Sequence, residues 1–142
     1  KTHSLAADLI FLKTTGDGFL AVFHKVETAF SVASELLKTQ VQQDVALRIA
    51  LHWGTAKTGP DGDVLGAEVH RVFRIENVQA PDRIDLSWPA EALPHAGRIL
   101  VTSQAMQQLS ESDRAKFRFA GQFRLRGFED ACDLWVLAKS SP

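Results

Sequence analysis

A single cysteine, no long apolar run and almost no net charge set the first limits on this 142-residue chain. One cysteine, Cys132, excludes an internal disulfide and suits a reducing compartment such as the cytoplasm. No stretch approaches the roughly 20 apolar residues that span a bilayer, and no signal peptide is visible, so no membrane segment is expected. The formal charge of −1 removes the general electrostatic reason to expect nucleic acid or an anionic membrane as partner. Metal-ligand spacing is lacking too: His3, His24, His52 and His95 form no such pattern with His70. An initiator methionine is absent, and the chain begins at Lys1 as a piece of a longer protein would.

What is present is one domain long enough to bury a substantial core. Its most informative stretch is Lys13-Thr14-Thr15-Gly16-Asp17-Gly18, set between the apolar runs Ile10-Phe11-Leu12 and Phe19-Leu20-Ala21-Val22-Phe23. Both runs read as strands, which makes Gly-Asp-Gly the turn of a hairpin. A carboxylate fixed there by two ladders suits a metal-binding or phosphate-facing acid. Asp-Gly is also ordinary hairpin turn chemistry, because glycine tolerates positive φ. Gly16-x-Gly18-x-x-Ala21 fits the loose dinucleotide fingerprint, but that fingerprint needs a helix to begin at the glycines. The helical period starts only near Val26, so a Rossmann site is not expected.

Apolar residues at Val26, Ala29, Phe30, Ala33, Leu36 and Leu37 predict a helix over 26–39. Residues 45–53 alternate as a strand and stop at Gly54, with a short strand to follow at 56–58 and a turn cluster at 59–63. Val69, Val72, Phe73 and Val78 predict a second helix over 67–78. Residues 79–97 hold Pro81, Pro89 and Pro94 and read as a long loop or arm. A short strand at 98–101, a helix capped by Thr102 or Ser103 and running to about Leu109, and strands at 117–126 and 132–138 complete the chain. Cys132 falls in the last strand, where a buried structural thiol is expected rather than a nucleophile. The alternation fits an α+β sandwich, an antiparallel sheet with helices on one face.

These pieces, in order, resemble the class III adenylate and guanylate cyclase catalytic domain. Residues 13–23 look like that family's metal-aspartate hairpin. Leu47-Arg48-Ile49-Ala50-Leu51-His52-Trp53-Gly54 looks like its central strand ending in His-x-Gly. Residues 63–74 are similar to its Gly-x-x-Val-Asn-x-x-x-Arg helix, and residues 98–102 and 123–127 match later strands. The resemblance implies a ferredoxin-like α+β fold, an antiparallel sheet with helices packed on it, over a partial domain spanning 1–142. It implies conversion of ATP to cyclic AMP in signal transduction, by a head-to-tail homodimer with Mg²⁺ or Mn²⁺.

The roles carry over position by position. Asp17 matches a metal-binding aspartate. Lys13 and Asp63 match the purine-reading pair, and a lysine with an aspartate complements adenine's acceptor and donor. Arg74 matches the arginine that stabilises transition-state charge, and Arg126 stands where a basic residue meets the terminal phosphates. Each has a plainer reading: Lys13 as an edge-strand gatekeeper, Asp63 as a turn acid, Arg74 in a surface salt bridge with Glu76 or Asp82, Arg126 as an exposed strand residue.

Two departures stand out. His70 replaces the family's ribose-orienting asparagine, four residues before Arg74 and on the same helix face. Nothing before Lys13 resembles the Phe-x-Asp-x-x-Gly strand of the first metal aspartate, so the N-terminal strand and helices are expected to be missing or divergent. Residues 79–97 look like an insertion at the dimer edge. Besides a cyclase, the sequence fits a nucleotide-binding or dimerisation module with little or no catalysis, or a partner-binding domain without a nucleotide site.

Overall fold

A computed structural model describes residues 7–16, 18–43, 47–60, 64–84, 93–94 and 96–138. The chain opens with a hairpin of β1 (Leu9–Thr15) and β2 (Gly18–Phe23). Its ladder closes with Thr15 opposite Gly18, and Gly16 takes a φ of 66°, a left-handed turn conformation suited to glycine. The dinucleotide reading fails as expected, because a strand and not a helix starts at Gly18. Helix α1 (Val26–Gln43) follows, one turn longer than its apolar period predicts.

The principal sheet has four strands in the order β3-β6-β8-β7, where β3 is Arg48–Leu51, β6 Arg98–Thr102, β7 Phe117–Phe123 and β8 Cys132–Leu137. β6 pairs with β8, and β8 with β7, antiparallel, while β3 and β6 run parallel with Arg48 opposite Arg98. Two short strands, β4 (Lys57–Thr58) and β5 (Val64–Leu65), make a ribbon before helix α2 (Ala67–Glu76). Two single-turn helices, α3 (Ser103–Met106) and α4 (Glu111–Arg114), lead from β6 to β7. Thr102 is the cap of α3, its hydroxyl accepting from Ala105 N–H at 3.2 Å.

The α+β class stands, but the helices lie on both faces of this sheet. All five residues of β6 are buried, and they alternate between two cores. Ile99 and Val101 pack with Val26, Phe30 and Ala33 of α1, where the Phe30 and Phe117 rings meet at 5.2 Å. Leu100 packs on the other side with Ile75 and Val78 from the end of α2, and with Leu134 and Val136 of β8. A continuous apolar run such as Ile99-Leu100-Val101 marks a strand covered on both faces. Apolar periodicity within a helix does not say which face of the sheet it covers.

The strand expected at 117–126 ends at Phe123, and residues 124–131 turn back towards β8. Within 45–53 only Arg48–Leu51 joins a ladder, and residues 44–46 lie outside the described residues. Of the proposed arm at 79–97, residues 85–92 and 95 lie outside the described residues, but its start is anchored. A 3₁₀ turn at Ala80–Asp82 is closed by a capping box, and the chain then runs along the end of β7. Ile84 N–H donates to Gln122 C=O and Arg124 N–H to Asp82 C=O, both at 2.9 Å.

Candidate functional site

Three arginines share a cleft of about 300 Å³ between the end of α2 and the turn after β7. Arg74 comes from the last turn of α2, and Arg124 and Arg126 from the turn. Asn77, Val78 and Leu125 line it too, with Asp82 as the one acid among the described residues of its lining. The two positions matched to phosphate chemistry, Arg74 and Arg126, are thus brought together from residues 52 apart in sequence. Arg124 joins them, and the sequence reading missed it because it depends on where β7 ends.

The surface salt-bridge reading of Arg74 does not describe this geometry. Glu76 pairs with Arg48 instead, Nε to Oε2 at 3.0 Å. The Asp82 carboxylate accepts from Gln79 N–H at 2.8 Å, which ties it to its own turn. Three exposed guanidinium groups beside one engaged carboxylate make a positively charged cleft suited to a polyanion.

The C-terminus of a helix is ordinarily a poor neighbour for an anion, since its free carbonyls carry partial negative charge. Here those carbonyls are occupied. Asn77 Nδ2 donates to Phe73 C=O at 3.1 Å, and Asn77 and Val78 N–H close on Arg74 and Ile75 C=O. Buried Arg98 donates through Nη2 to Glu76 C=O at 2.9 Å and Val78 C=O at 2.7 Å, and through Nη1 to Pro94 C=O at 2.9 Å. A cation beneath the helix end offsets the dipole and leaves the arginines on the cleft side to set its sign.

A second polar group braces the start of α2. The His52 side chain is only 3% exposed. Its Nδ1 lies 2.9 Å from Thr102 Oγ1 and its Nε2 3.1 Å from Glu68 Oε2. Arg71 Nε donates to the other oxygen, Glu68 Oε1, at 2.9 Å. Burial pulls the His52 pKa down more than Glu68 lifts it, with Arg71 lowering it further. Burial would raise the Glu68 carboxyl, but hydrogen bonds from Arg71 and His52 outweigh it and hold the group below its usual range. The His-x-Gly ending of the strand could have pointed to this network: His52 binds Glu68 and Gly54 gives it room.

Lys13 lies on β1 opposite Leu20, and His70 is exposed on α2 one turn before Arg74; neither lines the cleft. Asp17 and Asp63 lie outside the described residues. Among the described residues no three His, Cys, Asp or Glu side chains are grouped so as to hold a metal ion, and no helix is long and apolar enough to cross a membrane. Cys132 is buried as expected, and burial pushes its thiol up to about 11.

No protein-family model and no curated protein sequence matches the chain. Solved structures do. An adenylate cyclase from Trypanosoma brucei, determined in its monomeric state, superposes with a TM-score of 0.66 at 18% identity, over 96% of this chain and 73% of its own. A second such structure gives 0.66 at 19% identity, over 95% and 74%. An adenylate/guanylate cyclase/hydrolase from Silicibacter pomeroyi gives 0.65 at 22% identity, over 98% and 79%. The fold is cyclase-type. Within it, the cleft lies where α2 and the turn after β7 present their arginines side by side.

Proposed function

We propose that this is a class III nucleotidyl cyclase domain that converts ATP to 3′,5′-cyclic AMP and pyrophosphate. The observation that carries the reading is the meeting of Arg74 and Arg126 in one cleft that also holds Arg124. In the reaction the ribose 3′ oxygen bonds to the α-phosphorus and the bond from that phosphorus to the bridging oxygen breaks. Pyrophosphate leaves, and the hydroxyl proton passes to solvent. Negative charge builds on the α-phosphate and on the departing pyrophosphate. Arg74 is assigned to the first and Arg126, with Arg124, to the second, since fixed guanidinium groups stabilise such charge without reorganising.

Lys13 and Asp63 are assigned to the adenine edge. Asp17 is the carboxylate assigned to Mg²⁺ or Mn²⁺, an ion that would neutralise triphosphate charge. The partner in this reading is a second copy of the chain arranged head to tail, and the compartment is the cytoplasm. The cyclase-type fold and the adenylate cyclases among its structural neighbours support it.

Incubation of the full-length protein with ATP and Mn²⁺ tests the proposal. Cyclic AMP should form, and Arg74→Ala should lower kcat by roughly 10²-fold or more. Absence of any cyclic nucleotide overturns it. His70, where the resembled family carries asparagine, favours a second reading: a nucleotide-binding or dimerisation module with little or no turnover. ATP binding without product would mark that module.

A further inference from the structure

We infer that Arg71 is a positioning residue which, by bracketing α2 to the turn after β7, sets the separation of Arg74 and Arg126. The inference rests on the reading of that cleft as a polyphosphate site. Arg71 lies one turn before Arg74 on α2. Its guanidinium stands over the Phe128 ring, Cζ 4.3 Å from the centroid. Phe128 sits two residues after Arg126, beyond Gly127 at φ 86°, and its N–H closes the turn on Leu125 C=O at 3.0 Å. The contact therefore joins the two elements that supply the cleft's arginines.

A flexible arginine holds such a position only if its own orientation is fixed. Glu68 does this with Oε1 on Arg71 Nε at 2.9 Å. Glu68 is fixed in turn by His52, whose ring is buried and held from its other side by Thr102. The order is thus Thr102, His52, Glu68, Arg71, Phe128, from the sheet to the turn after β7. A planar guanidinium can donate to this carboxylate along its edge and stack its face on the aromatic ring at once, which a lysine cannot. Neither Glu68 nor Arg71 lines the cleft, so their effect on a ligand passes through Arg74 and Arg126.

The test uses the full-length protein, inorganic tripolyphosphate as probe, and hydrogen exchange at the Phe128 amide. Arg71→Met and Phe128→Leu are each expected to weaken tripolyphosphate binding about 5- to 10-fold, a fraction of one charge-assisted phosphate contact. Phe128→Tyr keeps a ring face and should restore binding. In an Arg126→Met background, Arg71→Met should add little, because the group it positions is gone. Its Phe128 amide should exchange faster than in the wild type. Equal loss from Arg71→Met with and without Arg126 overturns the inference, as does unchanged Phe128 exchange. If the wild type binds no tripolyphosphate, the cleft reading fails by itself, and the exchange measurement still decides whether Arg71 holds the turn.

Discussion

Gly54 and Glu68 occupy one space: a Cβ at residue 54 would lie 2.5 Å from Glu68 Oε2 and 2.9 Å from its Cγ. A side chain at the end of this strand segment would therefore displace a carboxylate 14 residues away in sequence. Gly54→Ala should push Glu68 off both His52 and Arg71 and cost about 1–3 kcal/mol in urea unfolding. Glu68→Ala removes the obstacle, so the double variant should cost less than the sum of the two single changes. Strict additivity would show that the two residues do not compete.

The same network makes stability depend on pH in a stated direction. His52 has a folded pKa below its ordinary 6.5, chiefly through burial, so the unfolded chain takes up its proton more readily. The groups that face it are Glu68, Arg71 and Thr102. Its contribution is complete above pH 6.5 and is lost as pH falls through the folded pKa. Glu68 acts in the same sense but only below its ordinary 4.5. Thermal melts should show Tm falling from pH 6.5 towards pH 5, and His52→Gln should flatten that part of the profile. An equal slope in the variant would assign the titration elsewhere.

Cys132 should be inert in the folded protein. A thiol pushed up to about 11 holds far less thiolate at pH 8 than a free cysteine does. Labelling by a disulfide reagent should be slower than that of a free thiol by about 100-fold or more, and should rise to the free-thiol rate in denaturing urea. Rapid labelling without denaturant would contradict its burial against Leu134 and Val136.

Much of this architecture could be read from local pattern. The run Ile99-Leu100-Val101 marked its strand, the Val26, Phe30, Ala33 period marked α1, and Thr102 or Ser103 marked the start of α3, with Thr102 the cap in the structure. The α+β class followed from their alternation. What escaped depends on contacts between distant segments. Arg124 lines the cleft because the β7–β8 ladder ends at Phe123, where the chain at 82–84 pairs along the other edge of β7. Backbone pairing leaves no side-chain signature. Glu68 and Arg71 form an ion pair three residues apart on one helix, and only the fold brings His52 and Phe128 to either end of it. Arg74 and Arg126 were named by resemblance, and their common cleft is what the fold adds to that.

Arg98 offers the sharpest test of how the cleft is supported. It is 1% exposed, yet it carries a guanidinium charge whose pKa burial and Arg48 both draw down while Glu76 opposes them. A buried cation persists when hydrogen bonds offset its desolvation, and here three carbonyls do so, on Glu76, Val78 and Pro94. Arg98→Met keeps the length but strands those acceptors, two of them at the end of α2. The expected loss is about 3 kcal/mol or more in urea unfolding, at one or more kcal/mol per unpaired buried carbonyl. Arg98→Lys keeps the charge with a narrower reach and should recover part of it. At a temperature where both variants stay folded, Arg98→Met should also bind tripolyphosphate more weakly, because the end of α2 would lose the buried cation that offsets its dipole. A loss under about 1 kcal/mol would mean that water replaces the guanidinium at little cost, and the helix end would need another source of its positive character.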